Sequence, residues 1–269
     1  MTPEAPYTHT VRRRFSRAGP HYDNLAGIQR RVIQRLLPML NEARAAERIL
    51  EAGCGSGQLT LQIAERFPNA TIDAVDIAGG MIASLESKQI PNTRFHVSDA
   101  AIFQGSGPYD LIASSSSLHW MTPIDQTLRT LAQQLRPGGQ LLIAVMLDGT
   151  LGELRSARLR VAPHKPPLGS LPSATCVREA VTGAGLDIYD CMEEVLTDHY
   201  PSAKAFLRHI HAQGLTGGSV SRAHLPLTRS ELQQLVTLYQ ESYGNPDGTV
   251  SASYQLIYIA ATQPAPSPS

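Results

Sequence analysis

The residues best suited to do chemistry lie in a glycine-rich loop. In the stretch ILEAGCGSGQLT, Glu51 precedes Gly53, Gly55 and Gly57. An apolar run, alternating glycines and then a helical pattern predict a strand, a tight loop and a helix N-terminus. Such a loop turns sharply and lets a ligand approach the main chain closely. Gln58 stands where the dinucleotide fingerprint needs its third glycine, which disfavours a nicotinamide dehydrogenase.

Two carboxylates follow the next two predicted strands. Residues 70–76 end in Asp76, and residues 93–97 lead to Asp99. In nucleoside-binding α/β folds, a carboxylate at the end of the second strand accepts the ribose hydroxyls, which is the role predicted for Asp76. A helix cap or a turn is the alternative role for either aspartate.

The elements that must position these residues form a regular alternation. Residues 108–114 predict a fourth strand that runs into four serines and the segment Leu118-His119-Trp120, and residues 124–135 predict a helix. The segment LRPGGQ then turns into a fifth strand. Five strand–helix alternations in about 100 residues predict a parallel, doubly wound sheet with ligands at the carboxyl ends of its strands.

The flanking segments are less regular. Helical spacing of apolar residues predicts an amphipathic helix over 23–40, and residues 163–167 are expected to form a loop. Residues 173–184 predict a helix, and 186–197 and 253–260 predict the last two strands, with a capping box at Thr228 and Glu231 between them. We divide the chain into an amino-terminal helical segment, a core, a helical cap, the last core strand and a disordered tail, at residues 1–45, 46–199, 200–248, 249–262 and 263–269.

Composition narrows the class of protein. The 23 Lys and Arg residues balance 23 Asp and Glu residues, so no broad nucleic-acid footprint is expected. No apolar run approaches the roughly 20 residues of a membrane span, and the amino terminus lacks a secretory apolar core. The three cysteines are far apart, which predicts neither a disulfide framework nor a metal site. We expect a cytoplasmic protein.

The glycine loop, the segment YDLIASSSSLHW and the LRPGG turn together resemble the class I S-adenosylmethionine (SAM) methyltransferases. Further stretches resemble one family, the malonyl-acyl-carrier-protein O-methyltransferases of biotin synthesis. They are FSRA with HYD, GTLGEL, the pair Leu207-Arg208 and LTRSEL, and the resemblance covers about residues 12 to 261. His119 and Ser115 depart from it, since the family commonly has Gln and Asn there. It implies a Rossmann-like seven-stranded sheet with a helical cap inserted between the last two strands.

The implied reaction moves the SAM methyl group to the free carboxylate of a malonyl thioester. A carboxylate is ionised at pH 7, so the reaction needs alignment and no general base. Arg208 is predicted to hold that carboxylate, Tyr22 to close over SAM or the substrate, and His119 to polarise a substrate oxygen. Each also has a plain structural alternative, as an exposed arginine, a core tyrosine or a packed histidine.

The cofactor contacts implied by the resemblance and by the strand ends are Tyr22, Gln29, Glu51, Gly53, Cys54, Gly55, Gly57, Asp76, Ile77, Met81, Asp99, Ala100, Ser114 and Leu118. The implied partner is a malonyl-loaded acyl carrier protein, which is acidic. Arg13, Arg14 and Arg17 are predicted to receive it, because they cluster in an otherwise neutral chain. A trans-aconitate-type carboxyl methyltransferase and a non-catalytic SAM-binding regulator are the alternative functions.

Overall fold

The computed structural model describes residues 8–18, 22–41, 46–121, 123–167, 169–215 and 225–265. The strands within these residues are β1 Arg48–Ala52, β2 Thr71–Asp76, β3 Thr93–Val97, β4 Tyr109–Ser115, β5 Leu135–Met146, β6 Asp187–Tyr200 and β7 Val250–Thr262. The helices are α1 Thr8–Ala18, α2 Tyr22–Leu25, α3 Gly27–Leu36, α4 Gln58–Arg66, α5 Gly79–Glu86, α6 Ile124–Ala132, α7 Gly152–Val161, α8 Ala174–Gly183, α9 Ala203–Ala212 and α10 Arg229–Tyr243. Short 3₁₀ turns cover Leu37–Met39 and Leu118–Trp120.

All seven strands join one sheet in the order β3-β2-β1-β4-β5-β7-β6. The first five pair in parallel, whereas β7 runs antiparallel between β5 and β6. The order reverses between β1 and β4, and ligands bind at the carboxyl ends of the strands beside such a point. The predicted Rossmann-like sheet is confirmed, with α9 and α10 inserted between its last two strands.

The sheet is buried on both faces because helices cover each side. Alternate residues of the central strands point to opposite cores: Leu111 and Leu142 pack with α3, α4, α9 and α10, whereas Ile112 and Leu141 pack with α6 and α8. This arrangement explains why consecutive apolar residues, Ile49-Leu50 in β1 and Leu111-Ile112-Ala113 in β4, occur without polar alternation. Among the described helices, none is both long and apolar enough to cross a membrane.

The predicted helix over 23–40 was wrong in one respect. The chain leaves helical geometry at Ala26 (φ −89°, ψ 42°), and a new helix begins at Gly27. The break frees the carbonyl of Leu25 to accept a hydrogen bond from the Gln213 side chain, after α9. Apolar periodicity continues across the break, so the pattern could not reveal it.

The loop predicted over 163–167 is confirmed. Helix α7 was not predicted, because only Ala157 is buried in it and so it lacks the apolar stripe that would have indicated a helix. One further expectation needed correction. The tail expected to be disordered from 263 onward still pairs at its start, because Gln263 exchanges main-chain hydrogen bonds with Gly138 and Gly139. The rest of that tail, residues 266–269, lies outside the described residues, as do residues 1–7 of the amino-terminal helical segment.

Candidate active site

A cavity of about 1780 Å³ opens at the carboxyl ends of the parallel strands. It extends from the loop after β1 to the inserted helices α9 and α10, with α1, α2 and α7 along its sides. Single small-molecule pockets measure roughly 300–1,000 Å³. The cavity therefore has room for a cofactor and a second ligand together.

The glycine loop presents main chain to this cavity. Gly55 has φ +53°, and a Cβ placed on it would meet no protein atom within 4 Å, so the open space beside it faces a ligand. Gly57 serves a different purpose: it is the N-cap residue of α4, with φ +79°, and a Cβ there would overlap the side chain of Leu85. Gly55 is thus the position for close ligand approach, and Gly57 is required for packing.

Asp76 links the loop to the end of β2. Its Oδ2 accepts a hydrogen bond from the Gly55 amide at 2.9 Å, and its Oδ1 accepts one from the Ala78 amide at 2.8 Å. Burial raises the pKa of this carboxyl, while both amides favour the ionised form. Helix α5 has Ala78 as its N-cap residue, so Asp76 does not cap it. The geometry suits a carboxylate that binds the hydroxyls of a ribose.

Asp99 lies one strand further along the same edge. Its Oδ1 accepts a hydrogen bond from the Ala101 amide at 2.9 Å, which is the turn role that the sequence left open. It also lines the cavity, as do Ala100 and the exposed side chains of Val97 and Ile102. A carboxylate between two apolar side chains fits the flat, polar-edged adenine ring.

Glu51 and Cys54 are buried beside the loop. Burial raises the pKa of Glu51 to about 8, although a 2.6 Å hydrogen bond from the Thr60 hydroxyl partly offsets this. Burial also raises the pKa of the Cys54 thiol, which keeps it protonated and unreactive. Among the described residues, no group of three or more His, Cys, Asp and Glu side chains could hold a metal ion.

The amino-terminal segment closes over this end of the cavity. Tyr22 lines it, and burial followed by the charge of Asp76 raises the pKa of its phenol, so the hydroxyl stays protonated. Asp23 accepts hydrogen bonds from Lys88 at 2.7 Å and Gln58 at 3.1 Å. The Lys88 ammonium also donates to the carbonyl of Ser56 at 2.8 Å. This network, which we call the Asp23 latch, holds α2 against the glycine loop.

Polar atoms without protein partners gather around the cavity. His119 is 9% exposed, and its Nδ1 is buried without a hydrogen-bond partner. Burial lowers the pKa of His119 to about 3, so the imidazole is neutral. The hydroxyls of Ser115 and Ser116 and the Oε1 of Gln29 are likewise buried and unsatisfied. Native proteins rarely leave such groups unmatched, and their concentration here fits a polar ligand such as SAM.

The structure places the predicted contacts as follows. Those that line the cavity are Tyr22, Gln29, Glu51, Gly53, Cys54, Gly55, Asp76, Ile77, Met81, Asp99, Ala100, His119 and Arg208. Ser114, Leu118 and Gly57 do not. The Ser114 hydroxyl donates to the carbonyl of Ala52 at 2.7 Å, and Leu118 is fully buried in the core beside α6. These three support the loop and the strand end from behind.

Sequence reasoning missed most of the basic residues of the cavity. Besides Arg208, the basic lining residues include Arg12, Arg155, Arg158, Lys204 and Arg229. The i,i+3 spacing on α7 and the i,i+4 spacing on α9 were the available signals, since each puts two bases on one helix face. Arg13, Arg14 and Arg17 lie on α1 outside the cavity lining.

Comparison with known proteins agrees with this geometry. Residues 50–141 match the model of a methyltransferase domain family. A malonyl-[acyl-carrier protein] O-methyltransferase of Geobacter sulfurreducens is 31% identical over 258 residues, covering 92% of this chain and 96% of that protein. One of Dechloromonas aromatica is also 31% identical, covering 95% of both chains.

Solved structures share the fold at low sequence identity. The N-methyltransferase NodS of Bradyrhizobium japonicum, in complex with S-adenosyl-L-homocysteine, superposes with a TM-score of 0.55 and 15% identity, covering 97% of this chain and 100% of that one. Geranyl diphosphate methyltransferase gives a TM-score of 0.59 and 13% identity, with coverage of 97% and 100%. The sheet, the cavity at its carboxyl edge and the full-length similarity place this chain in the malonyl-[acyl-carrier protein] O-methyltransferase family of SAM-dependent carboxyl methyltransferases.

Proposed function

We propose that this chain transfers the methyl group of SAM to the free carboxylate of malonyl-acyl-carrier protein, the step that begins pimeloyl synthesis for biotin. The distribution of charge in the cavity carries this proposal. Apart from Glu51, which burial keeps largely protonated, its acidic lining residues are Asp76 and Asp99 at the strand ends, whereas five of the six Arg and Lys residues that line it come from α7, α9 and α10. A cationic cofactor suits the first region and an anionic substrate the second.

The chain itself has little chemistry to perform. SAM supplies an activated methyl group, and an ionised carboxylate attacks it without a general base. The protein therefore has to align the two and exclude water. A neutral His119 adds no positive charge to the cavity that would hold the cationic cofactor, and the protonated Tyr22 hydroxyl can donate a hydrogen bond to a carboxylate or carbonyl oxygen.

The predicted cap over residues 200–248 would complete the substrate side. Arg208 lies on α9, is exposed and lines the cavity, so it can reach an anion there. It remains one candidate for the malonyl carboxylate among the basic residues of the inserted helices. We place the enzyme in the cytoplasm, where the acyl carrier protein of fatty-acid synthesis would be its partner.

Docking of that acidic partner is proposed on α1. Arg13 and Arg17 are exposed on this helix, and Arg14 lies between them. Their helix borders the cavity through Val11, Arg12 and Phe15. A carrier protein bound there could deliver its acyl group into the opening without a large rearrangement.

The test is methyl transfer from labelled SAM to malonyl-acyl-carrier protein, with malonyl-coenzyme A and trans-aconitate as parallel acceptors. We expect label in an alkali-labile ester on the malonyl thioester and little on trans-aconitate. Preferential methylation of trans-aconitate would replace the proposal with the alternative acid. SAM binding without transfer to any carboxylate would favour a binding protein.

A further inference from the structure

Helix α7 carries two arginines, Arg155 and Arg158, on the face that lines the cavity. They lie one turn apart, and neither is fully exposed. Both guanidinium groups are thus partly withdrawn from water, and this burial lowers the pKa of Arg158. Two positive charges therefore lie at a side of the cavity that is partly shielded from water.

Arg155 has few partners for a partly buried guanidinium. Its Nη2 donates to the main-chain carbonyl of Asp148, while its Nε is buried without a hydrogen-bond partner. Among the described residues, no carboxylate forms an ion pair with it. Arginines elsewhere differ: Arg129 pairs with Asp125 at 2.9 Å, and Arg35 pairs with Glu194 at 3.4 Å. A partly buried cation without a counter-charge is unfavourable unless a ligand supplies one.

The start of α7 is held in a strained and fixed position. Leu151, which precedes the helix, has φ +53°, an uncommon value for a branched residue. Its amide donates to the carbonyl of Ser253 at 2.7 Å, and the neighbouring Thr150 hydroxyl donates to the carbonyl of Gln255 at 2.9 Å. Both bonds tie the helix to β7. Strain maintained in this way is typical of segments that position a functional group.

We infer that Arg155 binds the carboxylate of the substrate that receives the methyl group, and that it does so in place of the exposed Arg208. This inference rests on the proposed function and assigns a residue to its substrate site. A guanidinium can hold a carboxylate in a defined plane and still leave a lone pair on the attacking oxygen. Because Arg155 is partly buried and anchored, it orients that oxygen better than a mobile side chain at the rim.

The test compares the charged substrate with its neutral product. Arg155→Gln should raise the KM of the malonyl thioester about 30-fold or more, because a charged group then lacks its partner in a partly buried site. The inhibition constant of the malonyl methyl ester thioester should stay within about threefold of the wild-type value. Arg155→Lys should restore only part of the affinity, since an ammonium cannot make the bidentate contact.

Arg208→Gln and Arg160→Gln are the matched comparisons. Arg160 lies on α7 but does not line this cavity, so its variant controls for damage to the helix. The affinity for S-adenosylhomocysteine should be unchanged in all of these variants, which verifies folding at the cofactor end.

The inference would be overturned if Arg208→Gln, and not Arg155→Gln, raised the KM of the charged substrate without weakening binding of the methyl ester. Equal weakening of substrate and methyl ester by Arg155→Gln would also overturn it, since that pattern indicates a structural role. If the wild type methylates a different acid, the proposed function fails, and the same comparison of acid and ester still decides the role of Arg155.

Discussion

At the cofactor end of the cavity, Asp76 is held by two main-chain amides, and its neighbours follow strands within about 50 residues of one another. At the cap end, Arg155 extends from α7, a helix that packs little apolar surface. Arg208 lies on the inserted helix α9, more than 50 residues after Arg155 in the chain. In the first region, main-chain geometry and main-chain hydrogen bonds form the site, so few residue types fit at each position. In the second region, long side chains form the site, so substitutions there can change substrate preference without disturbing the sheet.

The largest effect is expected at Asp76. Asp76→Ala leaves the Gly55 and Ala78 amides without acceptors and removes the carboxylate proposed to bind the ribose, so the Kd for S-adenosylhomocysteine should rise by about two orders of magnitude. Isothermal titration calorimetry measures this directly. Arg155→Gln serves as the control. If the two ends of the cavity bind different ligands, this variant should bind S-adenosylhomocysteine with the wild-type affinity. An Asp76→Ala protein with wild-type affinity would refute the cofactor role of this end.

A pH experiment tests the cofactor end of the cavity through Glu51, the carboxyl buried beside the glycine loop. Its pKa is raised from 4.5 to about 8, so the stability it contributes is complete below pH 4.5 and is lost as the pH rises towards 8. The unliganded wild type should therefore lose up to a few kcal/mol of unfolding free energy over this range relative to Glu51→Gln. Urea titrations at several pH values measure the difference. Parallel pH profiles for the two proteins would show that Glu51 ionises normally in the fold.

Charge reversal on α1 tests the docking proposal. The double variant Arg13→Glu/Arg17→Glu should raise the KM for malonyl-acyl-carrier protein about tenfold at low salt, and the effect should shrink as salt screens the charges. The KM for malonyl-coenzyme A should be little changed, because that substrate lacks the protein surface. An unchanged KM for the carrier protein would rule out docking at these residues.

The smallest effect is expected for the Asp23 latch. Its two charged groups are partly exposed, so Asp23→Asn should speed dissociation of S-adenosylhomocysteine only about threefold. The Lys88 hydrogen bond, opposed by burial, lowers the pKa of Asp23, so the latch should be intact at neutral pH and be lost as the pH falls through that lowered value. Stopped-flow fluorescence follows the dissociation. A rate that is the same in Asp23→Asn and wild type would remove the latch from cofactor retention.

The two regions also differ in how far sequence could predict them. The glycine loop, Asp76 and the parallel, doubly wound sheet follow from local patterns, because each strand and its terminal residues are contiguous in the chain. Ser114 and Leu118 were assigned to the cofactor because they lie near a strand end, but which face a residue takes there depends on pairing and packing. Helix α7 was missed because its inner face meets a cavity and so carries arginines where a core-facing helix carries leucines.

The approach of α1 to α5 has a consequence for the shape of the cavity. Gly80 lies against the carbonyl of Ser16, and a Cβ on it would overlap that carbonyl. One added methyl group at this position would therefore push the amino-terminal segment away from α5. Because Phe15 and Met81, the neighbours of these two residues, line the cavity, position 80 couples the packing of α1 to the shape of the cofactor end.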